Sequence, residues 1–243
     1  MSELFTTENG IAFLTLTALE IVLGIDNIVF IAILAGKLEP RQQDNARRAG
    51  LLLAMVLRLC LLGAISWIVG LKEPFFHVFG HGFSGKDLIM LGGGLFLIAK
   101  ATYEIHHKLE GPEPGASHKK ATASFMGVIL QILMIDAVFS LDSVITAVGM
   151  ADNYIVMAAA IIISVGIMLF ASGPISAFVQ RHPTMKMLAS SFLILIGVML
   201  VVDGIGEEIP KGYIYFAMAF SLVVELLNIR VRKVTHTVAG PKG

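Results

Sequence analysis

The chain has 243 residues, a formal net charge of zero, 56% hydrophobic and 15% charged residues, and a mean hydropathy of +0.82. A water-soluble domain of this length needs about a quarter of its residues charged to face solvent, and a nucleic-acid partner asks for an excess of positive charge; neither fits. The single cysteine, Cys60, leaves no room for a disulfide framework or a CxxC metal or redox site.

A helix rises 1.5 Å per residue, so about 20 apolar residues cross the hydrocarbon core of a bilayer. Runs of that kind cover residues 11–36, 49–71, 87–105, 125–150, 154–179, 187–205 and 213–229. The segment before the first run lacks the basic stretch of a cleavable signal, so the first span is expected to direct insertion. Pro40, the 74–85 stretch, Pro112, Pro114, Pro183 and Pro210 punctuate the connectors. The longest connector, 106–124, is rich in Gly, Pro, Lys and His, whereas only Ala151, Asp152 and Asn153 join spans four and five.

Basic residues set the orientation. Lys37, Arg41, Arg47, Arg48, Lys108, Lys119, Lys120, Arg181, Lys186, Arg230, Arg232, Lys233 and Lys242 fall in alternate connectors and the tail, against Lys72, Lys86 and Lys211 on the other side. The positive-inside rule then puts the N-terminus outside, periplasmic or extracellular, and the C-terminus in the cytoplasm.

Span one carries Glu20-Ile-Val-Leu-Gly24-Ile-Asp26-Asn27-Ile28, and span four carries Asp136-Ala-Val-Phe-Ser140-Leu-Asp142-Ser143-Val144. They align without a gap: Glu20 with Asp136, Gly24 with Ser140, Asp26 with Asp142, Asn27 with Ser143. The repeat unit is three helices, and because three is odd the halves insert in opposite senses, which places a substrate site between them near the midplane. The expected fold is an all-α membrane protein of about seven transmembrane helices, an inverted repeat of 3+3 helices plus a seventh. It is read as a single transmembrane domain over 1–243: repeat one over 11–105, a cytoplasmic linker over 106–124, repeat two over 125–205, the seventh helix over 213–229 and a basic tail over 230–243.

An isolated charge at the bilayer centre costs roughly 3 to 15 kcal/mol, so these carboxylates must face one another, a cation or water. Residues six apart on a regular helix diverge by about 120°, and an unwinding at Gly24 and Ser140 is the expected way to turn both acids of each pair inward. Carboxylate, amide and hydroxyl oxygens are hard ligands suited to Mn²⁺, Mg²⁺ or Ca²⁺. Asp26, Asp142, Glu20, Asp136, Asn27, Ser140 and Ser143 are therefore the candidate metal ligands. Zinc or copper would ask for Cys or His within the spans, yet the histidines lie in connectors or the tail, and Met55, Met90, Met134, Met157, Met168 and Met199 read as apolar filler.

Arg58 in span two and Lys100 in span three are read either as counter-ions to the acids when the cation is absent or as members of static ion pairs. Glu104 and Asp203 lie near span ends, where a snorkelling side chain reaches water. Glu225, followed by Asn228, is the candidate outside the repeat for an extra ligand or proton carrier. Gly92, Gly93 and Gly94 predict close helix packing, and the pair His106–His107 reads as solvated, with metal binding from the cytoplasm as the lesser alternative.

The Glu20–Asn27 segment, Arg47-Arg48 with Arg58, Phe139-Ser-Leu-Asp-Ser-Val144, and Lys211-Gly-Tyr-Ile-Tyr-Phe-Ala-Met-Ala-Phe-Ser221 before Glu225 together resemble the TerC family of membrane proteins, over nearly the whole chain. The resemblance implies a metal-ion transporter of the bacterial inner membrane that exports Mn²⁺, and kinship with LysE-type exporters. Mn²⁺ is then a transported substrate, with Ca²⁺ or Mg²⁺ as alternatives, and no organic cofactor is expected. An alternative is a membrane metallation or assembly factor delivering Mn²⁺ to exported proteins. An intramembrane aspartyl protease is remote, since no Gly-x-Gly-Asp segment precedes either aspartate, and nothing resembles a nucleophile–base pair. The partners expected are the lipid bilayer and a divalent ion; the oligomeric state is left open, a homo-oligomer included.

Overall fold

A computed structural model describes residues 6–64, 74–78, 81–110, 123–150, 153–207 and 209–238, without the side chains of residues 23, 25, 26, 75, 76, 78, 81, 142, 145–150 and 232–238. Among the described residues there are seven helices: α1 (Thr7–Ala35), α2 (Pro40–Gly63), α3 (Gly85–Leu109), α4 (Phe125–Met150), α5 (Tyr154–Arg181), α6 (Pro183–Gly204) and α7 (Lys211–Val238). Between α2 and α3 lies an antiparallel hairpin of β1 (Pro74–Val78) and β2 (His81–Ser84), with Phe76 opposite Phe83 and His77 opposite Gly82.

Local sequence sets the helix ends. The Thr6 hydroxyl accepts from the Asn9 backbone N–H at 3.2 Å and starts α1. Pro40 begins α2 and Pro183 begins α6, each at a first-turn position where its missing N–H costs nothing. Ser84 and Asp87 form a reciprocal capping box at the start of α3. α6 ends in a Schellman turn: Gly206 takes φ 90°, its N–H reaches the Asp203 carbonyl, and the Glu207 N–H reaches the Val202 carbonyl.

Among the described residues five helices, α1, α3, α5, α6 and α7, are long and apolar enough to cross a membrane. In α4 the corresponding apolar stretch among the described residues is Phe125–Leu141. α2 differs because it starts nine residues before the expected span and takes in Arg41, Asp44, Arg47 and Arg48; it ends at Gly63, and residues 65–71 of the expected span lie outside the described residues. The expected unwinding at Gly24 and Ser140 is not found, since α1 and α4 run through both positions as uninterrupted helix. A Cβ at Gly24 would stand 2.3 Å from the Met168 sulfur, so this glycine serves close packing of α1 on α5.

The most extensive helix pairings are α3 with α6, α1 with α5, and α2 with α4. At the α3–α6 crossing a Cβ on Gly94 would lie 2.6 Å from the Gly197 carbonyl, and one on Gly197 would lie 2.9 Å from the Gly94 carbonyl. Of the three adjacent glycines, Gly94 packs on α6, Gly93 packs on Val138 of α4, and Gly92 meets nothing within 4 Å. The core gathers Ile28, Leu34, Leu97, Val128, Met168 and Leu200. Outward lie large apolar side chains such as Phe170, 88% exposed, with Met126, Phe216 and Phe220; such a surface suits lipid and would be a liability in water.

Candidate functional site

α1, α2 and α4 bring their polar side chains together in the middle of the bundle. Arg58 of α2 is 3% exposed, Glu20 of α1 and Asp136 of α4 each 4%. The Arg58 guanidinium donates from Nη2 to Asp136 Oδ1 at 2.7 Å and from Nε to Asp136 Oδ2 at 3.4 Å. Its Nη1 donates to Glu20 Oε2. Asn27 Nδ2 donates to Asp136 Oδ1 at 3.2 Å, and the Ser140 hydroxyl donates to Asp136 Oδ2 at 2.9 Å. Asp136 is thus fully satisfied by four donors, whereas Glu20 depends on Arg58, the one donor seen at its carboxylate among the described residues. The Ser143 hydroxyl turns to the Ser140 backbone carbonyl at 3.2 Å.

Helix periodicity explains the convergence. Glu20 and Asn27 lie seven residues apart on one stripe of α1, and Asp136, Ser140 and Ser143 share one stripe of α4. Arg58 reaches both because α2 packs against α4 and α1. Desolvated carboxylates of this kind persist only when paired, and a planar guanidinium can serve two at once.

Of the candidate residues, Glu20, Asn27, Asp136, Ser140, Ser143 and Arg58 come together. The Asp26 and Asp142 side chains lie outside the described residues. Lys100 belongs elsewhere: its Nζ lies 3.3 Å from Glu104 Oε1, one turn on, and Lys37 pairs with the same oxygen. Glu225 is half-buried on α7, a helix that packs on α6 rather than on the helices of the cluster. His106 and His107 stand in the last turn of α3, the first paired with Glu110 and the second stacked on Tyr103. Among the described residues no three of His, Cys, Asp and Glu gather as a ready metal site.

Two features escaped the sequence reading. Arg47, expected in a connector, is buried in α2, where its Nε donates to the Ser172 hydroxyl of α5 at 3.2 Å while Nη2 pairs with Asp44. Arginine one helical stretch before Arg58 was a usable signal, had α2 been started at Pro40. Thr17 Oγ1, one turn before Glu20, is a buried polar atom without a hydrogen-bond partner among the described residues; a threonine in an apolar helix gives no such signal.

A small hollow of about 10 Å³, room for roughly one water molecule, lies on each side of the cluster. One is lined by Asn27, Phe30, Ile31, Leu34, Ile132, Ile135 and Asp136. The other is lined by Glu20 and, mainly, by Leu16, Leu62, Val144 and Met157. The first lies along the C-terminal half of α1 and the second along its N-terminal half.

The chain is 54% identical over 226 residues to a UPF0053 protein of Haemophilus influenzae, covering 93% of this chain and 95% of that one. It is 54% identical over 215 residues to the UPF0053 inner membrane protein YgdQ of Escherichia coli, covering 88% and 90%. Against the longer UPF0053 inner membrane protein YoaE of the same species, the identity is 54% over 220 residues, covering 90% of this chain but only 42% of YoaE. No solved structure matches the chain. Residues 5–239 match the family described as Integral membrane protein TerC family, and the chain belongs to it.

Proposed function

We propose that this protein carries a hard divalent cation, Mn²⁺ in the first place, out across the bacterial inner membrane by alternating access. The observation that carries the reading is the pair of buried carboxylates, Glu20 and Asp136, contributed by different helices and each bordering a small hollow. Asp26 and Asp142 would add two carboxylates, and Asn27, Ser140, Ser143 and Thr17 oxygens of the hard kind that Mn²⁺ prefers. The Thr17 hydroxyl, buried and without a hydrogen-bond partner among the described residues, supports the reading, because such an oxygen can meet an ion or its water.

An inverted repeat of α1–α3 and α4–α6 is part of the proposal. Exchanging the halves turns the α1–α5 contact into the α4–α2 contact and returns α3–α6 to itself, and these are the three principal pairings. The same exchange maps Gly94 near Gly197 onto Gly197 near Gly94. Such repeats rock about a central site. On this reading the N-terminus is periplasmic and the C-terminus cytoplasmic. Proton exchange on acids released by the departing ion, with Glu225 as a further carrier, would supply the drive. Outward movement against a negative-inside potential costs about 2.3 kcal/mol per charge per 100 mV. The Glu20–Arg58–Asp136 arrangement speaks against a protease, whose two carboxyls must share a proton and a water rather than a guanidinium.

The test is Mn²⁺ accumulation in cells lacking or expressing the chain, with Asp26→Asn and Asp142→Asn variants at matched expression. Export predicts lower cellular Mn²⁺ with the parent and none of that lowering with either variant. Equal accumulation in all strains would refute it.

A further inference from the structure

The same cluster raises a question that ligand chemistry alone does not answer, namely how an ion reaches carboxylates that are already occupied. Arg58 engages three of the four carboxylate oxygens of Glu20 and Asp136, and each of these acids borders a small hollow on its own side of the guanidinium. An ion that reaches either acid therefore meets a carboxylate whose charge is already held by a cation belonging to the protein.

We infer that Arg58 is a tethered competitor of the transported cation: the ion binds by displacing the guanidinium from Glu20 and Asp136, and this exchange is what discriminates divalent from monovalent ions. The inference rests on the transport reading above and deepens it. The charge arithmetic is simple. Two carboxylates and one guanidinium sum to one negative charge, whereas two carboxylates and one divalent ion sum to zero. A monovalent ion that displaced Arg58 would replace one positive charge by another, with no electrostatic gain to offset the two ion pairs broken. A divalent ion gains the second charge in a medium of low dielectric, where that gain is large. Na⁺ and K⁺, far more abundant in a cell than Mn²⁺, are thereby excluded without a size filter. Because the guanidinium returns when the ion leaves, the two acids are bridged again between cycles, and the protein does not become a pore.

The side chain suits this role. Arginine stays protonated at any pH a cell meets, so the competitor cannot be lost by deprotonation. Its fork reaches Asp136 with two nitrogens and Glu20 with a third, whereas a lysine presents a single point charge and is a weaker competitor for two acids at once.

The experiment is Mn²⁺ titration of the purified full chain in detergent, followed by the electron paramagnetic resonance signal of the free ion, for the parent, Arg58→Lys and Arg58→Gln. Each titration is run at neutral pH in choline chloride and again with NaCl in its place. Displacement predicts that Arg58→Gln binds Mn²⁺ roughly tenfold or more tightly than the parent in choline, within the usual range of intramolecular coupling. It also predicts that Na⁺ weakens binding to Arg58→Gln while leaving the parent unchanged, a readout that a merely structural arginine would not move. If Arg58→Gln is not monodisperse, Arg58→Lys decides: tighter binding and a new sodium sensitivity support the inference, and parent-like or weaker binding overturns it. Absence of either the tightening or the sodium competition overturns it as well. Mn²⁺ bound by the parent and no better by the variants removes only this inference. No Mn²⁺ bound by any of the three removes the transport reading and this one with it.

Discussion

Arg58 on α2 grips Asp136 on α4 with two nitrogens, at 2.7 Å and 3.4 Å, in a place where neither side chain meets solvent. The energy of such a contact lies less in the attraction than in the penalty for leaving one partner alone. Asp136→Ala is expected to lower stability by about 1–3 kcal/mol, because two Arg58 nitrogens, Asn27 Nδ2 and the Ser140 hydroxyl lose their buried acceptor while Glu20 still balances the guanidinium charge. The triple change Glu20→Met, Arg58→Met, Asp136→Leu removes more atoms yet should recover most of that loss, since well-packed apolar groups carry no desolvation cost. Unfolding in mixed micelles checks both; a triple variant no more stable than Asp136→Ala would contradict the argument.

The α3–α6 crossing gives a graded test. Gly94→Ala and Gly197→Ala each force a methyl against backbone, at 2.6 Å and 2.9 Å, and should cost about 1–3 kcal/mol. Gly92→Ala, two residues away on an open face, should be neutral or slightly stabilising. Thermal unfolding of the three variants in one detergent makes the comparison, and equal losses at Gly92 and Gly94 would count against backbone contact as the cause.

Gly24 presents a different neighbour, the end of a flexible side chain. Gly24→Ala is expected to destabilise because its methyl would meet the Met168 sulfur. Met168→Ala alone leaves a gap, yet the two together should couple favourably, by about 0.5–3 kcal/mol in a double-mutant cycle. Strict additivity would mean that the two residues do not share this space.

Lys37, in the turn after α1, pairs with Glu104, and burial holds its ammonium below the ordinary lysine range despite that partner. A lysine with a lowered folded-state pKa binds fewer protons folded than unfolded between that value and its ordinary one. Stability should therefore rise with pH through that alkaline window, as the cost of burying the charged form disappears. Lys37→Met should flatten the rise, read from chemical unfolding midpoints across the alkaline range. A parent protein whose stability only falls there would refute the assignment.

The candidate site was legible because charge inside apolar helices is conspicuous. Glu20, Asp136, Asn27 and Ser140 could be picked out from the two aligned segments, and a helix period sufficed to put Asp136 and Ser140 on one stripe. What the sequence could not decide was which basic residue met them. Arg58 and Lys100 were equal candidates until helix packing separated them, and packing is a long-range property: α2 lies against α4, whereas Lys100 finds Glu104 one turn along its own helix. The first turns of α2 were missed because a search for apolar runs discards Arg41, Asp44, Arg47 and Arg48, although Pro40 marked the start. The 74–85 stretch was read as plain connector punctuation, whereas Pro74–Val78 and His81–Ser84 pair as antiparallel strands.

Gly94 and Gly197 press main chain on main chain, with Ile98 and Val201 standing one turn beyond, each against the opposite glycine. Surfaces meshed like that cannot glide lengthwise without lifting over a side chain, but they can tilt. Any rearrangement that swung α1 away from α4 would inherit an axle at this crossing, where sliding is blocked and tilting is left free.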